Sequence, residues 1–276
     1  MRAGGKWIGV ALLLTLAAGT AKAEDADPED GRVAQGGYHN PYFGLLYPLP
    51  PGWSEDLAGP KPSKTGTYVL AALTTPGPPK ATLQFGAQDL FFAAAPPATA
   101  LAAAQALRAS LSAIEGTAID REPEEVVIGK RHFARLDYNG AGLFHAYFAI
   151  ALRCHLVSAT ATATDRETLA RIATSLDALS IDAPDDPALP ACIKDFASPD
   201  RLKQQTAPTL TGTKFTKIPV RIVIGPDGAV RHIHVIIALP DQRSAIEAAL
   251  AQWHFTPDRS DGEARPVETG LAFEVK

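Results

Sequence analysis

The stretch from residue 181 to residue 215 most constrains the fold, because Pro184, Pro187, Pro190, Pro199 and Pro208 interrupt it. Proline inside a helix removes a donor and clashes with the preceding turn, and inside a sheet it leaves a ladder bond unmade. No long element crosses such a stretch, so the residues on either side must build separate cores. The one regular piece read within it is a short helix over residues 198–205.

Ahead of this connector the pattern is strands, then a helix, then strands and a second helix. Phe43, Leu45 and Tyr47 alternate before the Pro50-Pro51-Gly52 turn, and TYVLAAL (67–73) and ATLQFGA (81–87) follow as strands. From residue 99 to 114 the period changes: Leu101, Ala104, Leu107, Leu111 and Ile114 form a helical stripe that Gly116 stops. Strands return in EEVVIG, KRHFARLDYNG and GLFHAYFAIALRCHLVSATATA. Asn139-Gly140 is read as a hairpin turn, and residues 143–161 form either one bent strand or two. A second helix begins at Thr164 and Glu167, which have capping-box spacing, and carries Leu169, Ile172, Leu176 and Leu179 inward. The predicted class is α+β, with an N-terminal antiparallel sheet and packed helices.

Behind the connector, IPVRIVIGPDG and AVRHIHVIIAL read as a hairpin, Asp241 as the cap of a helix burying Ile246, Ala249, Leu250 and Trp253, and GEARPVETGLAFEV as a last strand. These predict a three-stranded antiparallel sheet with one main helix. Strand alternation puts His232 and His234 on one face and Ile233 and Val235 on the other. The apolar pair supplies the core face, so the histidines are expected on the solvent or partner face. A metal role would need further ligands that no spacing supplies.

The first residues have the parts of a secretory signal: Arg2 and Lys6, an apolar run from Trp7 to about Ala18, and small Ala21 and Ala23. That run is shorter than the roughly 20 residues of a membrane span. Cleavage after Ala23 leaves an exported, periplasmic or secreted chain with no retained transmembrane helix expected. Cleavage removes Arg2, Lys6 and Lys22 and no acid, so the formal charge moves from −4 to −7. An acidic chain without a basic patch excludes nucleic acid as the main partner. In an oxidising compartment Cys154 and Cys192 are a candidate disulfide, with two free buried thiols as the alternative.

VRIVIGPDGAVRHIHV, then a helix closing in AQWHFTP, then DGEARPVETGLAFEV resembles the C-terminal domain of TonB-type energy transducers. Asp227-Gly228, Val230, Ile233, Val235, Ala248-Ala249, Trp253, Phe255, Pro257 and Asp261-Gly262 carry the resemblance over about residues 210–276. It implies a periplasmic interaction domain that contacts protein segments by strand pairing, with residues 266–275 as the candidate edge. His232, His234, Val267, Thr269, Leu271 and Phe273 are then the candidate partner-binding residues, and proline at Leu271 is expected to weaken binding while folding survives. The chain departs from a complete transducer in lacking a retained membrane helix and a long proline-rich span. Residues 38–181 resemble PsbP-like alpha/beta domains through NPYFGLLYPLPPGW, the helix at 98–115, the strand group after it and the helix ending SLDALSI. That resemblance implies a mostly noncatalytic binding scaffold.

The expected organisation is a signal peptide (1–23), a flexible leader (24–37), a PsbP-like domain (38–181), a linker (182–209) and a TonB-like domain (210–276). No catalytic, cofactor or metal-binding residues are assigned. Lys64 to Gly66 spell KTG without an S-x-x-K nucleophile or SDN, G-x-S-x-G and H-E-x-x-H are absent, and adjacent Cys154 and His155 have no orienting partner. The expected function is noncatalytic binding of an envelope protein or peptide segment. A small ligand touching Tyr42 or Trp53 is a further option; a secreted hydrolase with a long-range site and a structural envelope component are the alternatives.

Overall fold

The computed structural model describes residues 26–58, 62–77, 81–182, 189–210, 214–215, 217–260 and 262–275. The signal-peptide reading lies outside them. Among the described residues no helix is long and apolar enough to cross a membrane.

The first half is α+β and holds two sheets. A small one runs β1 (Arg32–Ala34), β2 (Gly37–Asn40), β3 (Leu45–Pro48) and β11 (Ser180–Ile181). The large one has seven antiparallel strands, β4 (Ser54–Ala58), β5 (Thr67–Thr74), β6 (Thr82–Asp89), β7 (Ala118–Ile128), β8 (Arg131–Gly140), β9 (Leu143–Leu152) and β10 (His155–Ala163), in the order β4-β5-β6-β10-β9-β8-β7. Alternation divides the side chains between its faces. Phe148, Ile150, Val157, Ala159 and Ala161 join Tyr38, Tyr47 and helix α2 (Arg166–Ser175) in the first core. Leu136, Tyr138 and Tyr147 meet helix α1 (Ala100–Leu111) in a separate cluster on the other face.

Several local expectations shift. Helix α1 ends at Leu111, so Ile114 falls past the stripe and is 56% exposed. Asp165, not Thr164, caps α2, its Oδ1 accepting the Thr168 N–H at 2.8 Å. The β8–β9 turn sits at Ala141-Gly142, both at positive φ, two residues beyond Asn139-Gly140. Residues 143–161 are two strands, divided at Arg153-Cys154.

The second half places β14 (Lys217–Ile224), β15 (Val230–Val235), α3 (Pro240–Leu250) and β17 (Val267–Glu274) as the periodicity predicts. Helix α3 starts two residues early, with Leu239 as its cap, Pro240 at its first position and Gln242 Oε1 accepting the Leu239 N–H, so Asp241 lies inside the first turn. The sheet is four-stranded, not three-stranded: β12 (Ala191–Cys192) pairs with β17 in parallel, giving the order β12-β17-β14-β15. Its source is the segment read as a linker, where Phe196 is 2% exposed in the second core. Prolines there limit strand length without preventing a two-residue strand. The expected helix at 198–205 is a single 3-10 turn, Pro199–Arg201, leading into β13 (Leu202–Gln204), which pairs with β16 (His254–Phe255).

Residues 26–34, expected as flexible leader, are packed. Ala26 lies in the first core, the Pro28 carbonyl accepts from Asn40 Nδ2 at 2.8 Å, and Arg32–Ala34 pairs with β2.

Candidate functional site

The two halves meet across the face of the second sheet turned away from α3. Pro219, Arg221 and Val223 of β14, His232 and His234 of β15, and Glu268, Gly270 and Ala272 of β17 share that face by register. Each alternates with a core residue such as Val220, Ile222 or Val235. What the alternation would leave to solvent is covered here by the first half.

Arg221 is at the centre, with 2% of its side chain exposed. Its Nη1 donates to Asp89 Oδ2 of β6 at 2.6 Å, and its Nη2 lies 2.9 Å from Glu268 Oε1 and donates to the Tyr42 hydroxyl at 3.1 Å. That hydroxyl donates to Glu268 Oε1 at 2.7 Å. The Arg153 guanidinium stacks 3.8 Å over the Tyr42 ring and donates to the Tyr42 carbonyl at 2.8 Å. Two buried carboxylates thus share Arg221, with Arg153 3.7 Å from Glu268.

The charges differ in consequence. Burial lifts Glu268, but Arg221, Arg153 and the Tyr42 hydroxyl together hold it below the ordinary carboxylate value. Burial also lifts Asp89, and there it prevails over Arg221, aided by the charge on Glu268, so Asp89 stays above its ordinary value. Arg221 is pushed well up by Glu268, Tyr42 and Asp89 although burial alone works against its charge.

Arg153 and Cys154 form the β9–β10 turn with φ of 45° and 60°. Left-handed backbone costs a residue with a side chain about 1 kcal/mol or more. Both side chains of this turn reach the second half: Arg153 enters the ionic cluster, and Cys154 forms a disulfide with Cys192 of β12, Cα atoms 5.7 Å apart. The expected pairing is therefore present, and it fastens the hairpin tip to the second sheet.

His155 is fully buried beside this turn. Its Nδ1 donates to the Arg153 carbonyl at 2.7 Å, which leaves Nε2 as the bare nitrogen, 3.8 Å from Asp89. Burial, then the charge of Arg221, lowers its pKa well below that of free histidine. A depressed histidine pKa contributes stability that is present above about pH 6.5 and lost as pH falls below it, at about 1.4 kcal/mol per pH unit. Titrating stability from pH 7 to 5 should show the wild type losing its margin over His155→Asn, whose amide can replace the Nδ1 donor. Parallel pH profiles would contradict this assignment.

His232 and His234 are not outward-facing. The packed leader crosses them: His232 Nε2 lies 2.9 Å from Asp27 Oδ1, and His234 Nε2 lies 3.0 Å from Glu29 Oε1. His234 is buried and His232 half-buried. Burial raises Asp27, but the hydrogen bond with His232 and the charges of His234, His232 and Arg243 bring it below the usual value. Among the described residues no three His, Cys, Asp or Glu side chains converge as a metal-binding group.

Val267, Thr269, Leu271 and Phe273 turn toward the second core, Val267 and Thr269 fully buried there. The backbone set that faces away from β14 is the alternate one. Glu268 fixes this parity, because its carbonyl accepts the Ile193 N–H on the β12 side at 3.1 Å. Gly270, Ala272 and Glu274 therefore point their N–H and C=O outward. β12 covers only Val267 and Glu268, and no other described strand pairs with that side of β17.

A groove of about 530 Å³ borders this open stretch, lined by Gly270, Leu271 and Ala272 with Lys217, Lys64 and Phe91 among its other walls. Gly270 is required by close approach: a Cβ there would lie 2.7 Å from the Phe91 Cβ. Phe91 also stacks on Arg221, at 4.7 Å, so the groove floor abuts the ionic cluster. The second groove, about 340 Å³, is lined by Trp53, Pro50, Pro76 and Arg171, whereas Tyr42 is sealed in the ionic cluster. Neither groove has a histidine in its lining, and His155 has no access to solvent.

Sequence reasoning missed Arg221, Asp89, Glu268, Arg153 and Gly270, and offered Tyr42 only as a small-ligand contact. One signal was present: Pro219 and Val223 flank Arg221 on a strand whose opposite face is also apolar, the pattern of a strand covered on both sides.

No protein-family model and no curated protein sequence matches the chain. Among solved structures it is similar to the cyanobacterial PsbP (CyanoP) of Synechocystis sp. PCC 6803, at 12% identity and a TM-score of 0.39, over 61% of this chain and 98% of that one. It is also similar to the protein of unknown function PA94 from Pseudomonas aeruginosa, at 18% identity and a TM-score of 0.30, over 47% of this chain and 88% of that one. These are weak, partial resemblances, one of them to a PsbP-type protein; neither is to a TonB-type domain.

Proposed function

We propose that the chain is an exported, noncatalytic binding protein of the cell envelope that captures an extended protein segment along the outer side of β17. The first half, residues 26–182, would be the scaffold, and the second, from about residue 189, the recognition unit. The observation that carries this reading is the row of outward backbone groups at Gly270, Ala272 and Glu274, beside a groove wide enough for side chains. An incoming strand would satisfy those groups, and the groove would take its alternate side chains.

The register dictates how to test it. Leu271 pairs with Val220 and turns its N–H toward β14, so proline there would break the internal ladder and compromise folding. Ala272 is exposed and turns its N–H outward, so Ala272→Pro removes a donor at the edge alone. Loss of backbone bonding and close approach at that point should weaken partner capture about tenfold. The comparison is the protein retained from an envelope extract by wild type and by folded Ala272→Pro; equal retention would sink strand capture.

A further inference from the structure

We infer that the groove beside β17 selects an acidic extended segment. This rests on strand capture at β17 and names the chemistry of what is captured. Lys64 comes from the turn before β5, whereas Lys214 and Lys217 come from the entry to β14, so the fold brings ammonium groups from both halves to one groove. All three are exposed, and none forms an ion pair with a described residue; Lys214 lies 5.5 Å from the centre of the Phe215 ring. Among the described residues of the lining Asp195 is the one acid, and Glu274 of β17 stands opposite Lys217 at the end of the groove.

This concentration of positive charge stands out in a chain of formal charge −4. Elsewhere the described cations are largely used internally, as in the Arg108–Glu122, Arg166–Asp120 and Arg265–Asp258 pairs. Asp27 and Glu29 of the leader are not available as occupants, because they are held on His232 and His234. Three lysines with no ion-pair partner among the described residues, beside a row of open backbone groups, complement a strand that presents carboxylates at every second position. Phe91, Phe92 and Phe215 supply apolar surface for the aliphatic parts of such a segment. Compact ammonium charges at an exposed rim act on approach and on choice of partner, and salt screens them.

The probe is a labelled, end-blocked heptapeptide of alternating glutamate and valine, compared with its lysine-valine counterpart by fluorescence anisotropy on the full mature protein. We expect the acidic peptide to bind at least about tenfold more tightly at low salt, with the ratio shrinking as salt rises from about 0.05 to 0.5 M. The triple variant Lys64→Glu, Lys214→Glu, Lys217→Glu, changed only at exposed positions, should reverse the ranking with thermal unfolding unchanged. Equal binding of the two peptides, or a ranking the triple variant leaves intact, overturns the inference. Two further acidic peptides, N-methylated at alternate amides in each register, separate this from strand capture. If both bind like the parent, strand capture fails while charge selection stands; if no peptide binds, both fail.

Discussion

Replacing Arg221 with methionine is expected to cost about 3–5 kcal/mol, because it leaves buried carboxylates without the charge that compensates them. Asp89 and Glu268 are both buried, and Arg221 is the group that touches both. Arg153, 3.7 Å from Glu268, does not replace the contact to Asp89. At about 2–4 °C per kcal/mol for a chain of this size, melting should fall by about 10 °C. The triple variant Arg221→Met, Asp89→Asn, Glu268→Gln removes the stranded charges along with the guanidinium and should recover much of the loss. A fall below about 1 kcal/mol for Arg221→Met, measured by denaturant unfolding, would show that the cluster is not what joins the halves.

Reduction of the Cys154–Cys192 bond should be the other large effect. The bond closes a loop with a sequence separation of 38, for which the chain-entropy account gives about 3–4 kcal/mol. Cys192 is exposed while Cys154 is buried, so reductant has an approach from the β12 side. The bond also holds a two-residue turn in left-handed backbone, and Arg153 of that turn belongs to the ionic cluster. Cys154→Ser/Cys192→Ser should therefore lower the unfolding midpoint and loosen the pairing of β12 with β17. An unchanged midpoint after complete reduction, verified by mass after thiol labelling, would contradict this.

Local periodicity carried much of the fold. The 3.6-residue stripe marked α1 and α3, and alternation about the Asp227-Gly228 turn marked β14 and β15. The missing pieces depend on distant partners. β12 is two residues long and becomes a strand only because β17 lies beside it. Asp89 and Arg221 are 132 positions apart, and nothing near either announces the other. Alternation puts His232 and His234 on the face opposite the core, but a face is exposed only if nothing covers it, and the leader covers this one. Strand alternation likewise yields the side-chain faces without saying which parity turns its backbone outward; the Ile193–Glu268 bond decides that.

Residue-resolved amide exchange tests the binding account most directly. In the free protein, Thr269, Leu271 and Phe273 should be protected by β14, while Gly270, Ala272 and Glu274 exchange rapidly. Saturating acidic peptide should slow that second set and leave the first unchanged. Protection of Gly270, Ala272 and Glu274 already in the free protein, or no slowing with peptide present, would contradict capture along β17.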